Sequence, residues 1–174
     1  MPKPGKETRK EHWTQLVRTM MEEPAWRALS PVAQALYPWL RLEWRGVNFN
    51  NNGQIRLSVR QAADRMGVSS NTAAKGFHEL QAKGFLVVTK MATLGIAGNM
   101  RTTAYELTEV PLPHGPHRDG RKLYRQWKQG HDFRVRKARA NNPQGNRGNS
   151  KSHLKIEDEA VLDFETYQKS TSQQ

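Results

Sequence analysis

A mainly helical domain with one small β-hairpin is the fold class that three features of the sequence predict. Leu57 to Leu86 reads as two short helices joined by a tight, glycine-containing turn. Phe85–Thr89 and Thr103–Thr108 read as two strands joined by a loop. Ser30-Pro31 opens a longer helix ahead of both, with serine as N-cap and proline at the first helical position.

In chain order, residues 1–10 are polar, carry Pro2, Pro4 and Gly5, and are expected to be disordered. Glu11–Glu23 is expected to be helical, with Trp13, Leu16, Val17, Met20 and Met21 as an i, i+3, i+4, i+7, i+8 stripe that ends at Pro24. Residues 24–29 suggest a short helical turn. The helix from Ser30-Pro31 should run over about residues 31–45, with Val32, Ala35, Leu36, Trp39, Leu40 and Trp44 as its apolar stripe. Pro38 should kink it near residues 34–37. Trp13, Trp26, Trp39 and Trp44 are read as core rather than base-stacking groups. Asn48–Gly53, NFNNNG, is a turn whose residues tolerate positive φ.

Gly53–Leu57 alternates apolar and polar residues and reads as a strand. Ser58 with Gln61 three residues on is a capping box that opens the first short helix. Ala62, Ala63 and Met66 form its apolar stripe, and Gly67 can end it in the left-handed conformation. Val68 plugs the turn and Ser69 caps the second helix. Ala73, Phe77 and Leu80 face inward on that helix, which Gly84 ends. Residues 91–102 form the loop of the hairpin. Strand, helix, turn, helix, hairpin is the order of a winged helix-turn-helix. The expected class is therefore a winged helix-turn-helix over residues 11–113, with an extra N-terminal helix and a C-terminal extension.

That extension divides into residues 114–140, basic, and residues 141–174, a flexible linker and an acidic tail. Residues 119–129 suggest a helix with Leu123, Tyr124 and Trp127 on one side, either packed on the domain or binding nucleic acid. FRVRKARA, Phe133–Ala140, is a basic segment that could become helical on binding. Residues 141–153 read as linker. Leu154–Tyr167 combines five acids with an amphipathic pattern and is a candidate protein-binding tail.

Charge follows the same division. The 174 residues carry a net charge of +12. Residues 1–113 contribute +6, residues 114–155 contribute +10 and residues 156–174 contribute −4. A polyanion partner is the simplest reading of the two basic parts. There is no cysteine, which excludes disulfides, Cys-based zinc fingers and thiol catalysis. The opening residues do not resemble a signal peptide, and no stretch approaches the roughly 18 apolar residues of a membrane span. A cytoplasmic, nucleoid-associated protein is expected. His114 and His117 are the only close histidine pair and sit in a proline-rich connector; no P-loop occurs. Neither catalysis, a cofactor nor a metal site is expected.

In a helix-turn-helix the second helix enters the major groove and its first residues meet base edges. Ser70, Asn71, Ala74, Lys75 and His78 then face outward. Asn71 suits a bidentate contact to adenine, and Lys75 a guanine or phosphate. Ser69, Ser70 and Thr72 place hydroxyls and amides near a phosphate, although Ser69 and Thr72 could serve as caps alone. Arg60 and Arg65 could hold the backbone, with Lys90, Asn99 and Arg101 in or beside the wing. Arg121, Lys122 and Arg125 are further candidates in the extension.

PAWRALSPVAQALY, GQIRLSVRQAADRMGVSSNTAAKGFHELQAKGFL and TAYELTEV together resemble bacterial winged-helix proteins linked to phages, plasmids and integrative elements. The KGFL-strand junction also resembles GntR-type regulators and plasmid replication initiators. The resemblance spans about residues 12–112 and implies duplex DNA contact through Asn71, Lys75 and the wing. GntR regulators carry an effector domain, for which residues 114–174 are too short and polar. The function expected is sequence-specific double-stranded DNA binding by a transcriptional regulator of a mobile element or its host. The alternatives are a replication or recombination accessory factor at an origin and a protein-binding adaptor. RNA binding is disfavoured because no exposed aromatic platform is evident. Glu11–Glu23 is the candidate homodimer contact.

Overall fold

The computed structural model describes residues 12–92, 102–113, 115 and 119–137. The N-terminal residues 1–11, the hairpin loop with Arg101, His114, His117, residues 138–140, the linker and the acidic tail lie outside them. The elements are α1 (Arg18–Met21), α2 (Pro24–Arg27), α3 (Pro31–Leu42), α4 (Val59–Met66), α5 (Ser70–Ala82), β1 (Leu86–Lys90) and β2 (Ala104–Leu107). A single 3₁₀ turn follows at Leu123–Arg125. The domain is mainly helical with one two-stranded antiparallel sheet. No helix among the described residues is long and apolar enough to cross a membrane.

The N-terminal helix expected over Glu11–Glu23 is reduced to four residues. Val17 at its N-cap supplies no side-chain hydrogen bond. Only Met20 of its stripe is buried, while Trp13 is 81% exposed, so Trp13 is not core. A helix this short needs tertiary packing to form, and most of its apolar face has none.

Helix α3 starts as expected, with Ser30 Oγ accepting from Ala33 N at 3.3 Å. It continues past Pro38 to Leu42. Its buried face is Ala33, Leu36, Tyr37 and Leu40, one residue round from the expected stripe; Ala35 is exposed. Apolar residues occupy both candidate faces, and Tyr37 decides between them. Its ring meets Trp26 and Phe85 edge-on at 5.4 and 5.8 Å, and its hydroxyl donates to Glu109 Oε2 at 2.7 Å. Phe85 in turn stacks on Tyr124 at 4.8 Å.

The asparagine run closes the loop after α3 through its side chains. Asn50 Oδ1 accepts from Trp44 Nε1, and Asn51 bridges the Glu43 carbonyl and the Arg45 amide. Asn52 is fully buried and holds both Leu107 backbone groups, with Nδ2 donating to Leu107 O and Oδ1 accepting from Leu107 N. The strand expected at Gly53–Leu57 shrinks to one residue pair, Ile55 against Tyr105. Leu86 and Val88 pair with Leu107 and Tyr105, and the register shifts between Val88 and Lys90.

Residues 119–129 do not form the expected helix; only the 3₁₀ turn is helical. Lys122 enters it at φ +49, and Gly120 lies so close to the Glu109 carbonyl that a Cβ there would collide with it. Leu123, Tyr124 and Trp127 are nevertheless buried, so the packed core continues past residue 113. Gly84 makes this docking feasible. Its φ is +79, and a Cβ would meet Phe133 Cε2 at 2.7 Å and Tyr124 N at 2.9 Å. Gly84→Ala is expected to destabilise the fold by about 2–5 kcal/mol, combining left-handed strain with overpacking. Chemical denaturation of the two proteins side by side measures it.

Candidate nucleic-acid interface

Helices α4 and α5 meet through a short turn that the sequence specifies at each position. Ser58 Oγ accepts from Gln61 N, and Gln61 Oε1 accepts from Ser58 N, both at 3.1 Å, completing the capping box. Gly67 ends α4 at φ +67, and Val68 N donates back to Ala63 O at 3.0 Å. Ser69 caps α5, its Oγ accepting from Thr72 N at 3.1 Å and lying 2.8 Å from Thr72 Oγ1. Both hydroxyls are therefore engaged in the cap, as the plainer reading of Ser69 and Thr72 had it.

Two opposite faces of α5 follow. Ala73, Gly76, Phe77, Leu80 and Gln81 are buried. Gly76 lets α3 approach, since a Cβ there would lie 3.3–3.6 Å from Leu36, Val32 and Ala33. On the other side Ser70, Asn71 and Lys75 are exposed, and Ala74 and His78 are half-buried. Asn71, Lys75 and His78 follow at i, i+4 and i+7, so they share one stripe. Among the described residues neither the Asn71 nor the Lys75 side chain has a hydrogen bond or ion pair. Glu79, four residues after Lys75 and the one acid of α5, is committed to the Ser30 amide at 2.9 Å. Burial pushes the His78 pKa down, and the nearby Lys137 charge adds to the effect, favouring the neutral ring.

No protein-family model, curated protein or solved structure matches the chain. The interface therefore rests on its own geometry.

The other expected contacts separate into two groups. Arg60 on α4 and Lys90 at the end of β1 are exposed and have no partner among the described residues. Arg121, Lys122 and Arg125 are held in ion pairs. Arg121 makes two bonds to the buried Glu106 carboxylate at 2.6 and 2.8 Å. Lys122 pairs with Asp119 and Arg125 with Glu23, each at 3.3 Å. Arg65 likewise pairs with Glu43 at 2.6 Å, with its guanidinium 5.5 Å from the Trp39 ring centre. Arg121 thus balances a buried carboxylate, a role sequence could not assign because Glu106 had no visible burial.

Sequence reasoning did not assign individual roles to Arg134, Arg136 and Lys137. The described part of FRVRKARA, Phe133–Lys137, has no regular secondary structure, and it lies against α5. Phe133 N donates to Ala82 O at 2.9 Å, and Arg136 N donates to Gln81 Oε1 at 2.9 Å. The signal was present in Phe133, an apolar residue heading a basic run.

Proposed function

We propose that this chain is a sequence-specific double-stranded DNA-binding protein, with α4, α5 and the β1–β2 hairpin forming a winged helix-turn-helix. The observation that carries the reading is the polar stripe of α5, whose Asn71 and Lys75 side chains are unpaired among the described residues, whose one neighbouring acid, Glu79, is tied to the Ser30 amide, and which is backed by a fully packed inner face. A helix fixed in this way presents its side chains with little ordering left to do on binding. Asn71 reads adenine through its N6 and N7, a contact worth about 1–3 kcal/mol against the wrong base. Lys75 meets guanine or phosphate. Ser70 and the first amides of α5 face a phosphate, where the positive end of the helix favours an anion. Arg60 and Lys90 hold the backbone on either side, and Arg101 would do so from the wing.

The role proposed is that of a transcriptional regulator of a mobile element or its host, located on the nucleoid. This part rests on the sequence resemblance. Genome-wide occupancy of the tagged protein tests it directly. Sharp peaks at promoters support the regulator. Peaks at origin repeats would instead favour a replication factor, and diffuse occupancy would overturn sequence-specific binding.

A further inference from the structure

The basic run at the end of the described chain is pinned rather than loose. Beyond the two hydrogen bonds to α5, Lys83 Nζ lies 2.6 Å from Asp132 Oδ1, and Trp127 Nε1 donates to the same oxygen at 2.7 Å. Lys83 also sits 4.3 Å from the Trp127 ring centre. Burial alone would raise the Asp132 carboxyl, but the bonds from Lys83 and Trp127 outweigh it and hold it below its ordinary value. The Phe133 ring closes over Gly84. From these anchors the chain runs back along α5, with Phe133 N on Ala82 O and then Arg136 N on Gln81 Oε1, and the Lys137 charge is near enough to bear on the His78 ring.

This course brings Arg134, Arg136 and Lys137, all exposed, to the C-terminal end of the Asn71–Lys75–His78 stripe. None has an acidic partner among the described residues. Gln81 is buried, and its amide bridges the Phe77 carbonyl and the Arg136 amide. The fold thus uses specific hydrogen bonds, two of them half-buried, to hold like charges together. That arrangement raises the free energy of the unbound protein, and a polyanion relieves it.

We propose that residues 132–137 are a fixed part of the duplex-binding surface, with Arg134, Arg136 and Lys137 gripping phosphates beside the groove that α5 enters. The inference rests on the DNA-binding reading of α5 and adds a second, sequence-independent contact to it. Phe133 and Gln81 act as positioning residues.

The test measures the affinity of the full chain for a mixed-sequence DNA duplex by fluorescence anisotropy between about 50 and 200 mM salt. Each phosphate contact contributes about 0.9 to the slope of log affinity against log salt. R134A/R136A/K137A is expected to flatten the slope by up to about 2.7 while leaving the circular dichroism spectrum unchanged. Phe133→Ala keeps every charge but releases the segment, and its slope is expected to move towards that of the triple variant. An unchanged slope in the triple variant would overturn the proposal. So would a loss in the triple variant with none in Phe133→Ala, because the charges would then act as a loose tail. Failure of the DNA-binding reading looks different: the wild type itself would not bind the duplex.

Discussion

Glu109→Ala is expected to cost about 3–5 kcal/mol of folding stability, a large share of the roughly 5–15 kcal/mol available to a domain. Glu109 and Arg41 are both buried, with Arg41 Nε 3.2 Å from Glu109 Oε2. The contact is close enough to be ionic but misaligned for a hydrogen bond. Arg41 Nε and Nη1 and Glu109 Oε1 have no hydrogen-bond partner among the described residues. The Trp44 ring, 4.7 Å from the guanidinium, covers the other side of the charge. Removing the carboxylate would leave that cation buried without compensation and orphan the Tyr37 hydroxyl. Burial, with Glu109 beside it, holds the Tyr37 pKa well above its ordinary value, so the hydroxyl stays a donor. Arg41→Met/Glu109→Gln removes both charges while keeping an acceptor for Tyr37. It should recover most of the loss, because a poorly aligned buried pair is worth little over apolar packing. Urea unfolding of the two variants at pH 7 checks both statements; equal losses would show that the charges do not oppose one another in this way.

Asn52→Ala is the second large effect, expected at about 2–4 kcal/mol. The Asn52 side chain is the only cross-link between the loop after α3 and the end of β2 that uses both an amide donor and an amide acceptor among the described residues. It donates to Leu107 O at 2.9 Å and Val110 O at 2.8 Å, and accepts from Leu107 N at 2.8 Å. Alanine would leave Leu107 N and Val110 O unpaired, while Leu107 O keeps the Val110 amide at 3.3 Å; each unpaired group carries a desolvation cost of about 1–3 kcal/mol, partly relieved by water. Asn52→Asp keeps the acceptor and loses the donor, so it should fall short of wild type as well. Hydrogen exchange at the Leu107 amide reads the local effect; protection equal to that of wild type in Asn52→Ala would contradict it.

These sites also mark where the sequence was legible. Ser58, Gln61, Gly67 and Ser69 act through neighbours three to five residues away, so their caps could be read from spacing alone. The same holds for the inner face of α5. Asn52 was read as a turn former, because its partners lie 55 and 58 residues further on. Tyr37 was missed because α3 is apolar on adjoining faces, and the residue that selects the face, Glu109, is 72 positions away. The extension misled for a related reason. Residues 119–129 carried an apolar trio that suits a docked turn as well as a helix, and the Arg125 pairing with Glu23 spans too many residues to be read from spacing. Trp13 was expected in the core, but it stays 81% exposed at the edge of an open cleft beside Arg41, Leu42 and Trp44. At the interface, Asn71 and Lys75 were legible as an outward pair; the return of Arg134–Lys137 along α5 depended on Gly84 and Gln81 and was not.

The most direct measurement selects a binding site from a randomised duplex pool with the full-length protein. It then compares affinity for that site with affinity for a scrambled duplex, in wild type and in Asn71→Ala/Lys75→Ala. Wild type should prefer its site by at least about 10³, and the double variant should lose about 5- to 150-fold of that preference for each base contact removed while still binding the scrambled duplex. A preference unchanged by the substitutions, or a pool that yields no common site, would contradict recognition of bases by α5.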